Sequence, residues 1–420
     1  MLQPHPGTPR LSYSPLTLAF FGRKKQSSLD HTDSLPSVTA ITHTPTEPAP
    51  RIWLLFGERR GDNAQVLALA QMLGWDYEIK QLRWQPDYDV DPAEAGISLA
   101  GLDTSASDSL TAPWSDIVIG IGYRSAPVSR WIGQQAGRVI NIRLGRPRTE
   151  LKPYDLVITT PQYGLPPASN VRELPLPLVK ADDGVLAKAI ARWRPEFERL
   201  PAPRVAVLLG GPTQHMAFDD TVARNLARDL QAFAARMSAS LLITSSPRSP
   251  DGLRAILEPA LSAPHFLFEF QAGADNPYLA LLALSDAAIV TSDSASMIAD
   301  AAAFARPLLV YELPWLGRSK KPGLVAGIKR HVRERREQRG MAGLSADPLD
   351  RFYDMLTRMG RARPRRNVLG LTQKLYQAGI ARSFSPDADL AWKPATVTRE
   401  SQDRLVAEIK ALWAARRLAR

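Results

Sequence analysis

The residues best suited to grip a ligand lie between Asp286 and Asp300, in the run DAAIVTSDSASMIAD. Its apolar start, Ala287 to Thr291, predicts a buried parallel strand; Ser292-Asp293-Ser294 predicts a polar turn, and 295–303 a helix of small residues. Asp293 or Ser294 can cap that helix, leaving backbone N–H groups aimed at whatever stands before it. Such a helix end admits a phosphate closely and stabilises its charge. Ser296 and Asp300 are four apart on one face, so a hydroxyl and a carboxylate could meet one ligand. An ordinary, well-capped strand–turn–helix gives the same pattern.

Gly210-Gly211 ends a second apolar run, Val205 to Leu209. Paired glycines let the backbone approach an anion or turn tightly. The pair is neither a G-x-G-x-x-G fingerprint nor a P-loop, because no Gly-Lys-Ser/Thr follows. Both loops should emerge on one edge of one sheet. For acid–base chemistry the candidates are Asp62, His215 and Asp293, none with an orienting partner visible in sequence. A cap, turn or surface role is the alternative for each. With no cysteine and six histidines lacking ligand spacing, neither a metal site nor a bound cofactor is expected.

These residues need elements to position them. A chain of 420 residues, 45% hydrophobic, can bury a large core and predicts two domains. Residues 1–50 lack apolar periodicity and predict a disordered extension. From Arg51, apolar runs at 52–56, 117–121, 139–142 and 156–158 alternate with helical stretches at about 64–73 and 125–135. They predict an N-terminal α/β domain, 51–195, with residues 86–114 as a mobile Pro/Asp/Ser/Gly-rich loop. Pro195, Pro201 and Pro203 mark a linker over 193–203. Runs at 205–209, 241–244, 265–270, 287–291 and 308–310, with a helix over 220–237, predict a C-terminal α/β domain, 196–385. A helical segment, 386–420, closes the chain. The fold class is therefore α/β, two doubly wound Rossmann-like domains with ligands expected in the central cleft at the strands' carboxyl ends.

The net charge of +11 is concentrated: 318–366 holds 15 Lys/Arg against 5 Asp/Glu. Such a block attracts anionic surfaces, an anionic membrane first among them, or it is a solvated helical face. Nucleic acid is disfavoured because no aromatic residues interleave with the charges. No run reaches membrane-spanning length, so the expectation is a cytoplasmic protein, peripheral at the inner face of a membrane.

Four motifs, Gly210-Gly-Pro-Thr213, Thr244-Ser-Ser-Pro-Arg-Ser-Pro250, Asn276-Pro-Tyr278 and Thr291-Ser-Asp-Ser-Ala-Ser-Met-Ile-Ala-Asp-Ala301, resemble the "elongated mitochondria" fission-protein family. Gly61-Asp-Asn-Ala-Gln65, Gly120-Ile-Gly-Tyr-Arg-Ser-Ala126 and Pro147-Arg148 extend the resemblance, which covers about residues 51 to 400. The family includes plant outer-membrane-associated proteins and bacterial relatives, and looks like a GT-B glycosyltransferase fold. The resemblance implies a nucleotide-diphospho-sugar as substrate. It places Ser294 and Ser296 near phosphates and Asp300 near a ribose, with Gly210, Gly211, Thr213, Arg248, Asn276 and Ser292 around them. Arg59, Gly61, Asn63, Gln65, Arg124 and Ser125 are then expected on the N-terminal side of the cleft, which takes the acceptor.

The chain departs from the family pattern in four places. Asp300 replaces a usual Glu, Arg248 is the one arginine kept of two, Asp62 stands where a His often follows the glycine, and Pro161-Gln162-Tyr163 replaces a Pro-x-His-Asp run. The implied function is a glycosyltransferase-like enzyme. A sugar-nucleotide epimerase and a non-catalytic peripheral-membrane adaptor on the same fold are the alternatives.

Overall fold

Apolar runs flanked by helices on both faces have one economical outcome, a parallel sheet covered on each side. The computed structural model describes residues 49–86, 88, 91–180, 182–316, 347–362, 364, 366–395 and 399–418. The expected N-terminal extension and most of the basic block lie outside these residues. The first sheet consists of β1 (Ile52–Phe56), β2 (Tyr77–Gln81), β3 (Ile117–Ile121), β4 (Ile140–Leu144), β5 (Leu156–Thr159) and β6 (Val171–Glu173). Its order is β2-β1-β3-β4-β5-β6, all pairs parallel, with Ile52 opposite both Tyr77 and Ile117.

The second sheet consists of β7 (Arg204–Leu208), β8 (Ser240–Thr244), β9 (His265–Phe268), β10 (Ala287–Thr291), β11 (Leu308–Tyr311) and β12 (Arg382–Ser383). Its order is β12-β11-β10-β7-β8-β9, again all parallel. Each sheet reverses its direction of winding once, between β1 and β3 in the first and between β7 and β10 in the second. At such a switch point the loops leave the strand ends in opposite directions and open a crevice. The two-sheet α/β architecture is the one the strand and helix pattern predicts.

In the first half, α1 (Arg60–Leu73), α2 (Pro92–Ala95) and α3 (Ser125–Ala136) accompany the strands. In the second are α4 (Asp183–Phe197), α5 (Asp220–Met237), α6 (Leu253–Leu257), α7 (Tyr278–Leu284) and α8 (Ala295–Ala302). The chain ends with α9 (Pro348–Arg358), α10 (Val368–Gln377) and α11 (Arg399–Leu418). Helix α5 shows the logic: Asp219 accepts the Val222 N–H at 3.0 Å, and Val222, Leu226, Leu230 and Phe233 form its buried stripe.

Three expectations need correction. The 193–203 linker is shorter than expected, 198–203, because Trp193, Phe197 and Phe266 pack as an aromatic cluster with Phe197 fully buried, and this holds α4 through Pro195 to Phe197. The 86–114 insertion is not a free loop. Leu99, Leu102, Leu110 and Trp114 pack against Trp53, Val128 and Ile132, and Trp53 meets Trp114 at 5.8 Å between ring centroids. Helix α1 begins at Arg60, earlier than its apolar pattern, because Asn63 clamps both the N–H and the carbonyl of Gly57 at 2.9 Å and closes the loop at once.

Residues 49–420 form one compact unit, and the chain ties its two sheets together repeatedly. Lys374 pairs with Glu173 at 2.7 Å, and the Asn367 N–H donates to the Gln162 carbonyl at 2.8 Å. Helix α11 returns to the first sheet, burying Leu405, Ile409 and Trp413 in its core, with Arg172 bonded to both oxygens of Glu408. No helix among the described residues is long and apolar enough to cross a membrane.

Candidate functional site

At the second switch point the loops after β7 and β10 are joined by a buried carboxylate. Asp293 accepts from the Thr291 hydroxyl at 2.7 Å, the Gly211 N–H at 3.1 Å and the Arg248 guanidinium at 2.7 Å. Thr291 also accepts the Gly210 N–H at 2.8 Å. The glycines are required by this packing: a methyl on Gly210 would lie 2.2 Å from the Asp293 carboxylate, and one on Gly211 1.8 Å from the Arg248 carbonyl oxygen. Asp293 is thus a brace with both oxygens engaged.

Of the two possible caps for α8, the structure uses Ser294, whose Oγ accepts the Met297 N–H at 3.4 Å. Ser296 lies beside it, Oγ to Oγ 3.3 Å, and is half-buried. One turn further on, Asp300 accepts the Tyr278 hydroxyl at 2.7 Å. Burial raises the Asp300 carboxyl to about 6, against the opposing effect of that hydrogen bond. The edge therefore presents a helix N-terminus, two hydroxyls, the half-exposed Arg248 and a carboxyl–phenol pair.

Several of the expected ligand contacts also have partners within the protein. Ser292 is fully buried and accepts the Leu313 N–H at 3.0 Å. Thr213 closes its own turn by accepting the N–H groups of His215 and Met216. Asn276 accepts the Tyr278 N–H at 2.9 Å at the start of α7. His215 stacks on Trp315, centroids 5.2 Å apart, in the loop after β7.

The first switch point is built differently. Arg59, Gly61 and Asp62 open α1, and Gly122, Tyr123 and Arg124 precede α3; neither helix has a side-chain cap. A methyl on Gly122 would lie 3.9 Å from Asp62 Oδ2, so the two loops meet across the switch. Burial pushes the Asp62 carboxyl above the ordinary range, while Arg59 and Arg366 pull it back. Asn63 and Gln65 bond to the Gly57 and Gly61 backbone, and Arg124 reaches Glu58 at 4.0 Å. Ser125 is buried, donating to the Ile121 carbonyl at 2.8 Å.

Beneath this loop lies Arg143, fully buried, which donates to the Gly122 carbonyl at 2.6 Å and to Ser125 Oγ at 3.0 Å. Desolvation lowers it to about 10, so it stays charged at neutral pH. Sequence reasoning missed it, although a lone arginine in the otherwise apolar strand INIRL was the available signal. It also missed Tyr278 as the partner of Asp300. Tyr163, which replaces the family's histidine run, lies in the electrostatic field of Asp62, Arg366, Arg146 and Arg59.

The two edges face each other. A methyl added to Gly61 would stand 3.9 Å from Ser296 Oγ, which brings the start of α1 against the first turn of α8. Two switch-point crevices that meet in this way can enclose a ligand with one anionic end at each helix terminus.

A family model described as mitochondrial fission ELM1 matches residues 60–355. The mitochondrial fission protein ELM1 of Arabidopsis thaliana is 26% identical over 277 residues, 58% of this chain and 63% of that protein. The chain spans less than two thirds of the length of the curated relatives it matches. Among solved structures, the UDP-GlcNAc 2-epimerase from Neisseria meningitidis bound to UDP-GlcNAc is similar at 10% identity and TM-score 0.37, covering 78% of this chain and 98% of that one. A UDP-glucosyltransferase from Polygonum tinctorium is similar at 11% identity and TM-score 0.40, covering 87% and 99%.

Proposed function

The chain belongs to the mitochondrial fission ELM1 family, and from that premise we propose a glycosyltransferase-like enzyme that takes a nucleotide-diphospho-sugar between its two sheet edges. The observation that carries this reading is the approach of the two switch points, Gly61 to Ser296. The diphosphate would lie at the N-terminus of α8, where backbone N–H groups, the Ser296 hydroxyl and the free side of Arg248 converge. The dipole and donors there are oriented before any ligand arrives, so they would stabilise charge developing on the leaving diphosphate. Asp300 and Tyr278, one turn away, would meet a ribose hydroxyl. The acceptor would enter from the first sheet, where Asp62 is the carboxyl placed to take its proton.

Isothermal titration with UDP and UDP-GlcNAc tests the reading. Binding is expected to weaken by about tenfold or more in the Ser294→Ala/Ser296→Ala double variant, since each lost hydrogen bond to a charged group is worth about 1.5–3 kcal/mol. Equal affinity in the two proteins would remove the diphosphate assignment.

A second reading, an adaptor held at an anionic membrane surface, is favoured by one observation. Helix α9 buries Asp350, Asp354 and Thr357 beside Tyr353 while Phe352 is 54% and Met355 43% exposed. An outward apolar stripe beside Arg351 and Arg361 suits a lipid interface. Vesicles containing phosphatidylserine should then retain the wild type and lose Phe352→Ser/Met355→Ser; equal retention would return the helix to an ordinary surface.

A further inference from the structure

Several arginines gather at the carboxyl edge of the first sheet. Arg143 has no described carboxylate in contact with it, and its Nε makes no hydrogen bond. The chain keeps glycine at 120 to admit this group, since a methyl there would lie 2.3 Å from Nη1. Arg143 lies below the Gly122 carbonyl and the first residue of α3, a twelve-residue helix without a side-chain cap, whose Ala126 N–H donates to the Tyr123 carbonyl. A buried cation and an uncapped helix end therefore add their fields at one place.

The loop after β4 supplies two more cations. The Arg148 guanidinium lies 4.1 Å over the Tyr123 ring, immediately before α3. Arg146 donates to the Pro364 carbonyl and leaves its buried Nε without a partner. Arg366, from the segment that crosses from the second half, reaches Gln162 at 2.7 Å. Asp62, half-buried, lies beside Arg59 and Arg366, and Glu58 faces Arg124. Arg146 lies in the field of both Arg148 and Arg366, and Arg366 acts with Arg59 on the Asp62 carboxyl; such a set of guanidinium groups forms a cradle for a multiply charged oxyanion, and arginine forks match phosphate geometry.

We propose that the carboxyl edge of the first sheet, from Gly122 at the start of α3 across to Arg148 and Arg366, is an anion subsite that holds a phosphate group on the acceptor. This rests on the reading of that edge as the acceptor side, and it names the acceptor's class, a phosphate monoester or diester. The phosphate belongs to a soluble metabolite or to a lipid headgroup.

The test is titration of the full chain with inorganic phosphate and glycerol 3-phosphate, without UDP and with saturating UDP. Wild type is expected to bind phosphate in both arms. Arg148→Gln/Arg366→Gln should bind at least tenfold more weakly, and Arg148→Lys/Arg366→Lys, which keeps the charge but not the fork, should recover only part of the loss. Ser294→Ala/Ser296→Ala should bind phosphate as wild type does. Phosphate binding that UDP abolishes, or that the serine variant loses and the arginine variant keeps, would assign the anion to the second sheet and overturn the proposal; so would absence of binding. If UDP itself fails to bind, the donor reading falls while the UDP-free arm still decides this one. Short-chain phosphatidic acid binding more tightly than glycerol 3-phosphate indicates a lipid source, and equal binding a soluble one.

Discussion

The two switch points share a topology and oppose each other in construction. At the second, the charges cancel inside the protein: Asp293 is fully enclosed by Thr291, the Gly211 N–H and Arg248, and α8 is capped by its own Ser294. What remains on that edge is mostly neutral, a set of hydroxyls and backbone donors held by short side chains. At the first, α1 and α3 have no side-chain caps, Arg143 has no acid partner among the described residues, and long arginine side chains form the rim. A rigid neutral edge suits a ligand whose charge develops during reaction, because fixed dipoles need not reorganise. A cationic edge suits a ligand that arrives already charged.

The same small change should therefore have opposite consequences at the two edges. Gly211→Ala drives a methyl to 1.8 Å from the Arg248 backbone and should cost about 3 kcal/mol or more, or prevent folding. Gly61→Ala meets nothing closer than 3.9 Å and places alanine in the first turn of a helix, so stability should change by less than about 1 kcal/mol. Urea unfolding of the two variants measures the contrast. Comparable losses would mean that the second edge is no more tightly built than the first.

Next in size is the contrast between two arginines. Arg143→Met keeps most of the volume but strips the Gly122 carbonyl and Ser125 Oγ of their donor, at about 2–3 kcal/mol. Arg248→Met also removes a cation, from a carboxylate that keeps two other hydrogen bonds; Arg248 is half-exposed, so water replaces part of the interaction and about 1–2 kcal/mol is expected. If Arg248→Met proves the costlier of the two, burial of the cation is not what separates the edges.

This difference explains what was legible in the sequence. The elements of the second edge were legible almost completely, because their signals are local: an apolar strand, a Ser/Asp turn and a small-residue helix lie within fifteen residues, and α5 and β10 appear at their predicted bounds. What it did not show comes from long-range packing. Ser292 has the chemistry of a ligand contact but accepts the Leu313 N–H, a choice made by the neighbouring loop and not by residue type. The first edge was read poorly for the same reason. Its arginines come from β4, the loop after it and a segment more than two hundred residues away, so no window of sequence holds them together. Pro195 misled because a proline ordinarily ends a helix, and only the aromatic cluster around Phe197 reveals what keeps α4 continuous.

A titration separates the edges at the next scale. The unfolded Asp300 carboxyl has its ordinary value near 3.8, and the folded one is raised to about 6. Between those values the folded protein holds a proton that the unfolded chain has lost, so stability should fall as pH rises from about 4 to 6 and then level off. The change is on the order of 3 kcal/mol for a shift of about two units. Asp300→Asn should make the slope in this window shallower, leaving the smaller same-sign contribution of Asp62. Thermal midpoints between pH 4 and 7 provide the check, and an unchanged slope would mean that Asp300 titrates normally in the folded protein.

The smallest effect concerns the helix ends themselves. Ser294→Ala removes the acceptor for the Met297 N–H and should cost about 1 kcal/mol, the usual worth of an N-cap. Arg59→Ala, at the corresponding position of α1, removes no cap and should shift stability by less than about 0.5 kcal/mol. Ser296→Ala isolates ligand from cap: its hydroxyl bonds Ser294 and no backbone N–H among the described residues, so stability should hold while nucleotide affinity falls. If Ser296→Ala instead destabilises as much as Ser294→Ala and leaves nucleotide affinity intact, both hydroxyls serve the helix end, and the second edge is structural throughout.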